Sequence, residues 1–250
     1  MTTTDHGTVS PDRPTGVAAV TLRAVWGWAL AAALVAGLGS WLVGERIYKI
    51  YDVPGEKTSG QSQPPEVVAR INRAQISKHA QEGLATFGLL GAAMGLSLGL
   101  AGGLARRNVR AALVAGVVGL ILAGAVGAFA GKVSAQVAYK NIELYADSAT
   151  YSLLVHGAIF VAIGLAAGLA FGIGLGGGRT IIEVALGGLI GALGAAVAHE
   201  LIGSLLFPAA RTYQPIAETP GARLLALLLV AFFIAAGAAA LAGTRRGKSV

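Results

Sequence analysis

The chain has 250 residues, 55% of them hydrophobic and only 12% charged, with 37 glycines and no cysteine. Soluble domains carry roughly 25% charged residues, so the composition argues against a soluble fold, and the lack of cysteine excludes disulfides and thiolate metal sites. The formal net charge of +7 does not point to nucleic acid, because the basic residues sit in short clusters between apolar runs, as they do at the cytoplasmic ends of membrane helices.

A mean hydropathy of +0.69 and several apolar runs of about 20 residues predict an all-α integral membrane protein. Residues 1–23 read as a polar, disordered cytoplasmic tail. The first span covers 24–44, too long for a signal-peptide core, so an uncleaved anchor is expected. Trp26 and Trp28 mark one end of it and Trp41 the other, the spacing of interfacial tryptophan belts.

Residues 45–82 form the longest polar segment. Pro54 to Pro65 reads as a loop. Glu66 to Glu82 reads as an amphipathic helix that either runs on into the second span, 83–104, or lies on the membrane surface. The third span is 111–131, with a helical extension to 146. Asp147 or Ser148 is the expected cap of the fourth span, 151–175. The fifth span is 181–207 and stops at Pro208; the sixth is 222–242, and a basic tail follows at 244–250. Residues 83–243 are expected to form a five-span membrane core. Tyr48, Tyr51, Tyr139, Tyr145, Tyr151 and Tyr213 gather toward one side, mostly as interface anchors, with a ligand or partner platform as the other reading.

Six spans put both termini on one side. Arg106, Arg107, Arg110 and Arg179 in the two short turns, with Arg245, Arg246 and Lys248, stand on that side without an acid among them. The positive-inside rule makes it cytoplasmic. Richness in alanine, glycine and arginine hints at a GC-rich bacterial genome, and a multi-pass chain with cytoplasmic termini is then expected in the inner membrane.

Two glycine ladders stand out: Gly91, Gly95, Gly99, Gly103 and Gly164, Gly168, Gly172, Gly176. Glycines four apart share one helix face and form a GxxxG groove in which a second helix can come close. A shift of 73 residues overlays the ladders and carries Arg106 onto Arg179. The pattern suggests a parallel duplication of hairpins 2–3 and 4–5, related as parallel transporter repeats are.

Candidate chemistry rests on His79, Glu82, His156, His199 and Glu200, all near the non-cytoplasmic ends of predicted spans. Imidazole and carboxylate together can bind a divalent metal or relay protons; the bland reading is separate hydrogen bonding at the interface. His199-Glu200-Leu201-Ile202-Gly203 lacks the second histidine of a zinc-protease motif. Gly243 to Ser249 is one residue short of a phosphate loop, and no helix follows to aim a dipole at phosphate. Arg179 and Glu183 read as an interfacial ion pair. No nucleophile–base pair is present, so no enzyme and no cofactor are expected.

Two functions remain. One is a non-enzymatic membrane scaffold that meets a homo-oligomer copy or another membrane protein. The other is a small transporter or channel component with a divalent metal as cargo. A transporter needs the histidines to converge on a water-accessible cavity, whereas a scaffold lets them point apart to headgroups or solvent. Charged and amide side chains are absent from the middle of every span, which argues against an ion site at the bilayer midplane.

Overall fold

The computed structural model describes residues 21–47, 64–141, 149–207 and 214–243. Among them are six helices and no strand: α1 Leu22–Ile47, α2 Pro65–Ala105, α3 Val109–Lys140, α4 Ala149–Leu175, α5 Gly178–Leu206 and α6 Pro220–Gly243. Each is long and apolar enough to cross a bilayer, so the chain is a multi-pass membrane protein. The tail at 1–20, most of the 54–65 loop, Asp147, Ser148, Pro208, the basic residues after Gly243, and Tyr48, Tyr51, Tyr145 and Tyr213 lie outside the described residues.

α2 runs without a break from Pro65, with proline in its first turn, where no helical N–H is needed. Helices α1, α2, α4, α5 and α6 form a ring in that order of contact, and α3 lies against α2 and α4. α4 is the central element: 67% of its most apolar window is buried, against 33% for α3. The core between α2 and α4 holds Leu90, Met94, Leu98, Ile159, Ile163 and Phe171, all fully buried.

Backbone meets backbone along the hairpins. A Cβ placed on Gly91, Gly95 or Gly99 would overlap the carbonyl of Ala123, Gly119 or Ala115 in α3, and one on Gly103 would overlap the Ala112 amide. On the second hairpin, a Cβ on Gly164 would lie 2.5 Å from the Gly188 oxygen, one on Gly168 2.8 Å from that of Val184, and one on Gly172 2.6 Å from Ile181 Cα. By contact, Gly95 and Gly119 therefore correspond to Gly164 and Gly188, both 69 residues on. That differs from the 73-residue overlay by one helical turn. A ladder with a four-residue period matches itself at every such step, so sequence comparison cannot choose between the two registers.

The turns explain where the hairpins bend. Asn108 N–H donates to the Gly103 carbonyl and Arg107 N–H to that of Leu104, a Schellman closure of α2. The Asn108 side chain then accepts from Ala111 N–H and caps α3. Arg107 occupies the left-handed position with φ 56°, where a side chain costs about 1 kcal/mol or more. Arg107→Gly is therefore expected to leave the thermal midpoint in detergent unchanged or raised, the relief being partly offset by glycine's greater freedom in the unfolded chain; a lowered midpoint would show that the arginine makes a contact worth more than its strain. In the other turn Gly176 has φ 73°, and the Arg106 guanidinium lies where its Cβ would be, so the two turns touch. Arg179 donates to Glu183 at 3.2 Å on the surface, where such a pair contributes well under about 1 kcal/mol.

Candidate functional site

The glycine register of the α4–α5 hairpin builds the site. Carrying the Gly164–Gly188 pairing two turns further places His156 opposite Ala196, one turn from Glu200. His156 is buried to 1% exposure and His199 to 3%, each about 10 Å inside its helix end at 1.5 Å per residue. Their rings meet edge to face with centroids 4.7 Å apart. Phe160 flanks both, at 5.7 Å from His156 and 6.1 Å from His199.

The polar bonds fix the His156 ring. Its Nε2 lies 3.1 Å from the Gln214 main-chain oxygen. A carbonyl only accepts, so Nε2 carries hydrogen and donates. Nδ1 is 2.8 Å from Glu200 Oε1, and one hydrogen lies between them. The fully buried Ser152 donates to the same carboxylate oxygen at 2.6 Å and stands 3.3 Å from Nδ1. One donor atom from each of His156, His199 and Glu200 can be chosen so that all three lie within 4.8 Å of one another.

A small cavity of about 20 Å³ touches His156 and His199 and is lined by Thr86, Phe87, Phe160 and the 215–217 segment. It has room for about one water-sized particle. Beyond that segment lies an open cleft of about 770 Å³, lined among others by Lys78, His79, Glu82, Tyr139 and Gln214. Ile216, Ala217 and Arg223 border both spaces, so one layer of chain separates the cleft from the histidines.

Of the five residues singled out in the sequence, the structure brings His156, His199 and Glu200 together. His79 and Glu82 form a separate pair in the cleft, with His79 Nδ1 3.0 Å from Glu82 Oε2. A chain of contacts joins the two groups. His79 stacks flat on Tyr139 at 3.7 Å, the Tyr139 hydroxyl donates to Gln214 Oε1 at 3.2 Å, and the Gln214 carbonyl holds His156. Tyr139, one of the tyrosines read as mostly interface anchors with a ligand or partner platform as the other reading, stands in this wall.

Sequence reading missed Ser152, Gln214 and Arg223. Ser152 carried a usable signal, since it lies four residues before His156 on the same helix face. Gln214 lies in a proline-rich connection, where nothing in the spacing marks it. Arg223 donates through Nε and Nη2 to both Glu45 carboxylate oxygens, at 2.7 and 2.8 Å, and through Nη1 to the carbonyls of Ala217 and Glu218, at 2.9 Å each. Glu45 and Arg223 are 178 residues apart, so no local pattern predicts the pair. Comparison of the chain with protein-family models, curated proteins and solved structures gives no match.

Proposed function

We propose that this chain is a small, non-enzymatic transporter or channel component of a bacterial inner membrane, with both termini cytoplasmic, that receives a divalent cation at the His156–His199–Glu200 centre. The observation that carries this reading is the convergence of three ionisable side chains from two helices behind a polar cleft. Ionisable residues within spans are costly and usually functional, so two buried histidines beside one carboxylate favour a binding role over a scaffold. The basic turns stand at the opposite end of the bundle, so the positive-inside rule makes the cleft extracytoplasmic, the side from which cargo is taken up. On this reading the glycine ladders hold the hairpins rigid, and the two hairpins descend from one duplicated unit.

The test is flux into liposomes carrying a trapped divalent-sensitive dye. Wild type is expected to admit cation faster than protein-free liposomes, and His156→Ala or His199→Ala to return the rate to that of the empty membrane. A wild-type rate equal to the protein-free leak would return the chain to the scaffold reading.

A further inference from the structure

We infer that the buried centre is a site for a borderline d-block ion of the zinc class, bound by His156 through Nδ1, by one ring nitrogen of His199 and by the Glu200 carboxylate. The inference rests on the cation-transport reading only for its biological use; the donor set stands on its own geometry.

The choice of ring nitrogen follows from Gln214. The hydrogen bond made by one imidazole nitrogen decides which nitrogen is left for a metal. Nε2–H is held by the Gln214 main-chain carbonyl at 3.1 Å, so Nδ1 is the ligating atom. It already faces Glu200 Oε1 at 2.8 Å, and an ion takes the place of the hydrogen between them. Tyr139 in turn holds the Gln214 side chain. The His156 ring is thus fixed by a second layer of bonds before any ion arrives, as metal-binding histidines are.

The distances suit a small adjustment. Zinc–nitrogen bonds of about 2.0–2.1 Å place neighbouring donors of a tetrahedron about 3.3 Å apart. The donors here all lie within 4.8 Å of one another, so closing on an ion takes a side-chain shift of about 1.5 Å at the widest pair. Ser152 Oγ, 2.6 Å from Glu200 Oε1 and 3.3 Å from Nδ1, stands at the fourth position or holds a water there.

The same donors select the metal. Two imidazoles and one carboxylate form a recurrent zinc set. Calcium asks for six to eight oxygens and magnesium for octahedral oxygen and retained water, and neither fits beside a cavity of about 20 Å³ walled by Phe87, Phe160 and Leu227. Among the described residues, Arg223 is the cation bordering that cavity; it is matched by both oxygens of Glu45, so it does not oppose a second positive charge as a bare guanidinium would.

The experiment uses the full chain in detergent, with zinc, cobalt, manganese, magnesium and calcium chlorides each titrated against a competing chelator. One zinc or cobalt per chain is expected, at least about 100-fold tighter than manganese or magnesium, with the near-isosteric Glu200→Gln weakening zinc by about 100-fold. X-ray absorption at the zinc edge on wild type alone should count two imidazoles, a readout that needs no variant to fold. Absence of zinc binding, an all-oxygen shell, or Glu200→Gln binding as wild type would each overturn the site. Zinc binding without flux in liposomes would overturn the transport reading and leave the site standing; flux without zinc binding would do the reverse.

Discussion

Gly95→Ile is expected to stop α2 and α3 from docking and to yield a protein that runs as aggregate in detergent. A Cβ at Gly95 overlaps the Gly119 carbonyl, and a Cβ at Gly119 overlaps the Gly95 carbonyl, so the two backbones touch reciprocally. The obstacle is main chain, which moves only if the whole helix moves. Overpacking a core that can yield costs about 1–3 kcal/mol. Here Gly91, Gly99, Gly103 and Gly127 make similar backbone contacts, so parting the helices at Gly95 loosens the others too, and the cost exceeds that range. Lipid supplies no hydrophobic force to restore the pairing, because association within the bilayer rests on close packing. Gly39→Ala is the matched control, since its Cβ meets nothing within 4 Å; it should be neutral or stabilising by up to about 1 kcal/mol from helix propensity. The measurement is size-exclusion profile and thermal midpoint for both. A monodisperse Gly95→Ile protein with the wild-type midpoint would show that the hairpin contact contributes nothing to assembly.

The parts of this molecule that sequence reveals are those set by local period and by solvent. Apolar length gives the six helices, because a bilayer of fixed thickness demands about 20 residues per crossing. Asn108 and the Gly176–Gly178 run give the turns, because caps and left-handed residues follow local chemistry. His156, His199 and Glu200 were legible as candidates, because an ionisable group in an apolar run is costly wherever it points. Their convergence was not legible. It depends on the α4–α5 register, and a period-four ladder reads the same when slipped by four residues, which would move His156 about 6 Å past its partners. His79 illustrates the other failure. It has the same chemistry and the same end of the bundle, yet α2 carries it to Tyr139 and the cleft instead of to the buried centre. The strap of 214–219 was least legible, since its place is set by Arg223 and Trp41, whose partners Glu45 and Pro220 are 178 and 179 residues away.

Arg223→Met is expected to free that strap and, through it, the buried centre. The guanidinium joins four acceptors: two oxygens of Glu45 at the end of α1 and the carbonyls of Ala217 and Glu218. Methionine keeps the apolar stem and removes all four bonds. Breaking a fully buried pair costs about 3–5 kcal/mol, chiefly because the surviving charge stays buried. The Glu45 side chain retains 25% exposure and can turn to water, so the cost here is about 2–3 kcal/mol. Arg223→Lys should recover little of it, since one ammonium cannot span a bidentate carboxylate and two carbonyls. Once Ala217 and Glu218 are released, Gln214 no longer holds its carbonyl on His156 Nε2 for most of the time. Loss of such an outer partner typically weakens metal binding by about 10–100-fold. Three measurements follow one another: the thermal midpoint, hydrogen exchange at residues 216–219, and zinc affinity. All three should change in Arg223→Met, and Glu45→Gln should reproduce the first two, with the double variant no worse than the single ones because both break the same clasp. If exchange at 216–219 rises while zinc affinity holds, the Gln214 carbonyl does not set the His156 ring, and the ring is positioned by Glu200 and Ser152 alone. If neither changes, the clasp is an ornament of the surface and the strap is held by its packing on Phe207 and Leu227.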